Sequence, residues 1–113
     1  MKNIVAIYKA FLYSIFGLKY LLTERAFKQE LIISAFVIPA IFILDITAIM
    51  RLYVISSLFL VLILEAVNTA IEAAINRVGL EYHELSKKAK DVGSAVVFLG
   101  LVHLGIVLIV AIL

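Results

Sequence analysis

An all-α membrane protein is the fold class this sequence predicts, on three observations. Hydrophobic residues fill 65% of the 113 positions and charged residues only 16%, far from the balance of a water-soluble domain. Mean hydropathy is +1.20, more apolar surface than so short a chain can hide in its own core, so lipid must solvate most of it. The uncharged runs from Leu31 to Leu44, Leu52 to Leu64 and Val92 to Leu113 reach, with their flanks, the ~20 residues a bilayer requires. The expected architecture is one membrane domain, 1–113, with an N-terminal interfacial amphipathic helix and three transmembrane helices.

The first element runs from Ile4 to Leu22, apolar but interrupted by Lys9, Tyr13 and Lys19 and preceded by Lys2. That mixture suits a helix lying in the headgroup region better than one crossing it. Thr23 reads as the N-cap of a restart, and Arg25, Lys28 and Glu30 keep the entry polar, so 1–29 is surface helix and entry. The first span covers 30–50 and tolerates Pro39. Asp45 and Arg51 mark its far end and are expected to pair there. The second span, 51–76, carries Glu65, Asn68 and Glu72 into or near the membrane. Gly79 reads as a helix stop inside a polar loop, 77–91. The third span is 92–113, where the isolated His103 is expected to be a packing residue.

Five of the ten Lys and Arg residues precede the first span, four lie between Arg77 and Lys90, and Arg51 alone falls between spans one and two. The positive-inside rule then places the amino terminus and the 77–91 loop in the cytoplasm and the carboxyl terminus on the opposite side. A net charge of +2 is too small to suggest a nucleic-acid partner. The absence of cysteine excludes disulfides and thiolate metal sites. A start of Met1-Lys2-Asn3 followed by lysine-interrupted sequence does not resemble a removable signal peptide.

The chemistry lies on the second span. At about 100° per residue, Glu65, Asn68, Glu72 and Asn76 share an arc of roughly 80°. A charged group at the centre of a membrane helix costs ~2.5–3.5 kcal/mol, whereas a polar contact between such helices returns ~0.6–2 kcal/mol. Gluing helices together does not recover that cost, although Ala66, Ala70 and Ala74 form a small-residue ridge on the same helix and support a packing role. Paired carboxylates beside a basic loop suit Mg²⁺, which takes one or two carboxylates plus phosphate oxygens. Phosphoryl transfer needs metal ligands, a cation for the phosphates and a base near the acceptor hydroxyl. Lys90 and Asp91 sit at the depth to serve it, while Lys87 and Lys88 read as solvated or headgroup-binding residues. No glycine-rich phosphate loop is present.

In order, Glu65-Ala-Val-Asn68-Thr-Ala-Ile-Glu72, Arg77-Val-Gly, Glu81-Tyr82-His83-Glu84-Leu85-Ser86 and Ala89-Lys90-Asp91-Val-Gly-Ser94-Ala, with Glu24-Arg-Ala-Phe-Lys-Gln-Glu30 upstream, closely resemble the prokaryotic diacylglycerol kinases over nearly the whole chain. The resemblance implies a homotrimeric enzyme of the bacterial inner membrane, with active sites between subunits, that moves the γ-phosphate of ATP to the primary hydroxyl of diacylglycerol. It makes Glu65 the general base, Glu24 and Glu72 the metal-binding carboxylates, and Asn68 a residue that orients groups beside them. Lys90 and Asp91 become nucleotide-site residues, joined by Glu24, Glu72, Glu81, Tyr82, His83 and Tyr13. Ser14, Glu30 and Ser94, with Glu65, line the lipid side.

Two positions depart from the family pattern: Ala6, where a basic residue is frequent, and Asn76, where Asp is common. The related undecaprenol kinases share the Glu-x-x-Asn and Lys-Asp elements, but Glu81 to Ser86 resembles the diacylglycerol type more closely. A different class of function is a small proton or ion conductor, in which Glu65 and Glu72 form a relay. That function has no use for Lys90-Asp91 or for Glu81-Tyr82-His83.

Overall fold

The computed structural model describes all 113 residues and is built from four helices: α1 Lys2–Leu21, α2 Arg25–Ile43, α3 Ala48–Val78 and α4 Glu84–Ile112. The all-α membrane class is as expected; all four helices are long and apolar enough to cross a membrane, α1 included, where the sequence reading has three spans and an interfacial helix. α3 packs mainly on α4 and, to a lesser extent, on α2. α1 buries no residue.

The packing follows a seven-residue repeat. α4 buries Gly93, Val97, Gly100, Leu104 and Val107, and α3 buries Val54, Leu58 and Val61 with Ser57. Steps of four and three residues keep one stripe facing a partner helix. Extending the α3 stripe by the same steps reaches Glu65, Asn68 and Glu72, so the polar arc continues the packing seam. α2 uses the repeat too, burying Phe27, Glu30, Ser34 and Ile41. The seam is apolar toward the 44–47 turn, where Ile41, Val54, Leu58, Val61, Leu104 and Val107 meet. It becomes polar toward the 79–83 loop.

Several boundaries differ from the sequence expectation. Thr23 does not cap α2: its hydroxyl donates back to the Tyr20 carbonyl at 2.6 Å, closing the end of α1, and Glu24 holds the cap position without a side-chain bond. α2 ends at Ile43, and Thr47 caps α3 by accepting from the Met50 amide at 3.2 Å. α3 therefore begins at Ala48, with Arg51 in its first turn. The loop expected at 77–91 shrinks to 79–83, because α3 continues to Val78, ending at Gly79 in extended backbone, and α4 starts at Glu84. His83 caps that start, its Nδ1 accepting from the Leu85 amide at 3.1 Å. Lys87 and Asp91 then pair across one helical turn at 2.6 Å. His103 is exposed on the α4 surface of the single chain.

The pairing expected between Asp45 and Arg51 is absent. Arg51 instead donates Nε to the Ile41 carbonyl at 2.9 Å and an Nη to the Leu44 carbonyl at 3.3 Å, with its guanidinium over the Phe42 ring. A helix leaves its last carbonyls unpaired, and here the next helix supplies the donor. Charge-assisted bonds of this kind contribute ~1.5–3 kcal/mol. Arg51→Ala should thus lower the unfolding temperature in detergent while leaving substrate KM values unchanged, and Arg51→Lys should recover only part of the loss because it lacks the planar fork. Equal melting of all three proteins would refute this.

Candidate active site

The polar part of the seam gathers groups from three helices. Glu30 of α2 is buried at 9% exposure, and Ser34 beside it donates to the Glu30 carbonyl at 2.8 Å. From α3 come Glu65, Asn68 and Glu72, all partly buried. Asn68 Nδ2 donates to Glu72 Oε1 at 3.3 Å, and Thr69 is tied to the Glu65 carbonyl at 2.9 Å. Gly93 of α4 closes against Asn68. This part of the seam holds three acidic side chains, Glu30, Glu65 and Glu72, none of them in an ion pair. A divalent cation suits a gathering of like charges in partly dehydrated surroundings.

One turn beyond Glu72, Lys90 Nζ donates to Asn76 Oδ1 at 2.8 Å, tying α4 to α3 where the two helices approach the loop. Lys90, Asp91, Glu81, Tyr82 and His83 line one cavity of about 240 Å³ together with Lys87 and Gly79. Lys87, read from sequence as an ordinary solvated residue, is Asp91's partner and a wall of this cavity. His83 is a helix cap through Nδ1 as well as a lining residue. Both signals are local in sequence: a polar residue just before a helix start and a basic-acidic pair four apart.

A larger groove of about 640 Å³ lies between the end of α1 and α3, lined by Ser14, Gly17, Leu18, Tyr20, Leu21, Glu24, Ala66, Thr69, Ala70 and Ala73. Ser14 bonds back to the Ala10 carbonyl at 2.9 Å. Ala66 and Ala70, expected to pack helices, face this groove instead, and Ala74 is exposed. The close approaches are made by glycines of α4. The groove face of α3 lies roughly 100° around the helix from the Glu65–Asn68–Glu72 stripe.

One chain thus joins Glu30, Glu65, Asn68 and Glu72 in one cluster, and Lys90, Asp91, Glu81, Tyr82 and His83 in another. Glu24 and Ser14 share the groove. Tyr13 and Ser94 are exposed and belong to none of the three. No three acidic or histidine side chains of the chain converge as a ready-made metal site. Mg²⁺ does not demand one, since it keeps waters and phosphate oxygens in its shell and takes few protein carboxylates. Glu24 and Glu72 are donors of the type Mg²⁺ takes, but within one chain they lie apart, Glu24 in the α1–α3 groove and Glu72 in the seam.

The family model for prokaryotic diacylglycerol kinase matches residues 12–112. A diacylglycerol kinase of Haemophilus influenzae is 46% identical over 96 residues, covering 84% of this chain and 81% of that protein. The diacylglycerol kinase of Escherichia coli K12 is 46% identical over 81 residues, 72% of this chain and 66% of its own length. That of Helicobacter pylori is 36% identical over 102 residues, 89% of this chain and 80% of the relative. With a match over nearly its whole length, on helices that carry the ordered motifs, the chain belongs to the prokaryotic diacylglycerol kinase family.

Proposed function

We propose that this membrane enzyme transfers the γ-phosphate of ATP to the primary hydroxyl of diacylglycerol, giving phosphatidate, with Glu65 as general base. The observation that carries the reading is the partly buried Glu65–Asn68–Glu72 stripe, set in the helix seam where burying carboxylates serves no packing purpose. In the reaction the hydroxyl oxygen bonds to the γ-phosphorus as the bond to the β,γ-bridging oxygen breaks. The hydroxyl proton passes to a carboxylate oxygen of Glu65, and later to water.

Glu24 and Glu72 would hold Mg²⁺, which supplies charge neutralisation on the phosphate oxygens. Asn68 keeps the Glu72 carboxylate in place. Lys90 and Asp91, with Glu81, Tyr82 and His83, bind nucleotide at the loop end, Lys90 supplying positive charge for the phosphates; Tyr13 joins them from α1. The lipid substrate would be met by Glu30 from inside the seam, by Ser14 from the α1–α3 groove and by the exposed Ser94. Asn76 holds Lys90 through a neutral amide, which leaves the ammonium charge uncancelled for phosphate.

A homotrimer with sites shared between subunits accounts for what one chain leaves apart. Glu24 faces a different side of α3 from Glu72, α1 buries nothing, and only 13 of 113 residues are buried. The helix α1, with Lys2, Lys9 and Lys19, lies in the interface, and α2, α3 and α4 cross the bacterial inner membrane, with the amino terminus and the 79–83 loop cytoplasmic.

The test is incubation of the purified protein in mixed micelles with labelled ATP, Mg²⁺ and either diacylglycerol or a polyprenol. Labelled phosphatidate, dependent on Mg²⁺, is the expected product. Labelled polyprenyl phosphate instead would reassign the acceptor, and the absence of any labelled lipid would overturn the kinase reading.

A further inference from the structure

Two glycines of α4, Gly93 and Gly100, lie where a neighbour already fills the space a Cβ would need. At Gly100 the neighbour is Leu64 Cδ1, 2.6 Å from the Cβ position, an apolar contact in the seam. At Gly93 it is the amide oxygen of Asn68, so close that no side chain fits beside it. That oxygen is buried and has no hydrogen-bond partner. The nitrogen of the same amide donates to Glu72 Oε1.

From this arrangement we infer that Gly93 is a positioning residue for the Glu72 carboxylate, acting through Asn68. An amide has one donor end, and a carboxylate only accepts. The Asn68 nitrogen therefore serves Glu72 only while its oxygen is turned toward α4, and the bare Cα of Gly93 provides the notch that receives it. A methyl group at 93 forces a choice. Moving α4 back would open the seam at Val97 and Gly100, whereas turning the end of one short side chain is cheap, so the amide rotates and Glu72 loses its partner. The oxygen accepts this unpartnered place as the cost of the aimed nitrogen.

This inference rests on the proposed role of Glu72, and the experiment separates the two. Mn²⁺, an oxygen-seeking stand-in for Mg²⁺, is titrated into the full-length protein in mixed micelles with a non-hydrolysable ATP analogue, free Mn²⁺ being read by electron paramagnetic resonance. Partners that orient a metal ligand typically alter affinity by about 10–100-fold. Gly93→Ala should weaken Mn²⁺ binding by about tenfold on that scale, and Asn68→Ala by at least as much. In the Asn68→Ala background, Gly93→Ala should add nothing, since two changes acting through one contact are not additive. Gly100→Ala should lower the melting temperature and leave Mn²⁺ affinity unchanged.

Unaltered Mn²⁺ binding in Gly93→Ala, with Glu72→Gln impaired, overturns the inference and leaves the role of Glu72 standing. Unaltered binding in Glu72→Gln overturns both. Additive losses in the double variant also overturn it. If Gly93→Ala alone does not fold, the double variant decides: a folded protein supports the notch, and an unfolded one shows that Gly93 is needed for another reason.

Discussion

Glu65→Gln is expected to lower kcat by about 10²–10⁴, the range of a lost general base, while ATP binding and the melting temperature stay near those of the parent protein. The amide keeps the shape of the carboxylate but cannot take the hydroxyl proton. Glu65 touches neither the loop cavity that holds Lys90 and Asp91 nor the apolar core, so nucleotide affinity and folding have no reason to fall with it. Turnover within twofold of the parent would remove Glu65 from the chemistry. A loss of ATP affinity as large as the loss of turnover would move it to the nucleotide site.

The second large effect is expected at the carboxylates assigned to the metal. Glu72→Gln and Glu24→Gln should each raise the Mg²⁺ concentration for half-maximal activity by about tenfold or more, ligand loss being at least as costly as loss of the groups that orient ligands. High Mg²⁺ should restore part of the rate in each, unlike Glu65→Gln. The two residues lie on different faces in one chain, Glu24 in the α1–α3 groove and Glu72 in the seam. Equal responses to Mg²⁺ would therefore support the proposed assembly, in which Glu24 of one subunit approaches Glu72 of another. If Glu24→Gln leaves the Mg²⁺ dependence untouched while Glu72→Gln shifts it, Glu24 is not a ligand.

Three uncharged apolar runs announce α2, α3 and α4, the lysine-interrupted run from Ile4 to Leu22 announces α1, and 3.6 residues per turn puts Glu65, Asn68 and Glu72 on one side. The sequence does not announce that this stripe is the packing seam continued, since that needs the phase of α3 against α4. The polar start of α4 reads as loop by composition. It is helical because His83 caps it and Lys87 pairs with Asp91, contributions too small to outweigh hydropathy in a window. Sequence alone points Arg51 to Asp45, its nearest opposite charge, but the carbonyls of Ile41 and Leu44 at the end of the preceding helix are its acceptors. The closeness of Gly93 to Asn68 is a tertiary fact, 25 residues apart in sequence, and no local pattern encodes it.

The 31 residues of α3 and 29 of α4 have a consequence for where the two substrates meet. At 1.5 Å per residue these helices are about 46 and 43 Å long, against roughly 30 Å of hydrocarbon. With their outer ends flush at the 44–47 turn, the oil ends near Asn68 on α3 and Val92 on α4. On that placement the proposed base, Glu65, would lie just under the surface of the oil, with Glu72, Asn76, Lys90 and Asp91 in the wet layer above it. A greasy alcohol would not need to climb out nor a polyanion to dive in: the phase boundary would run through the proposed catalytic cluster.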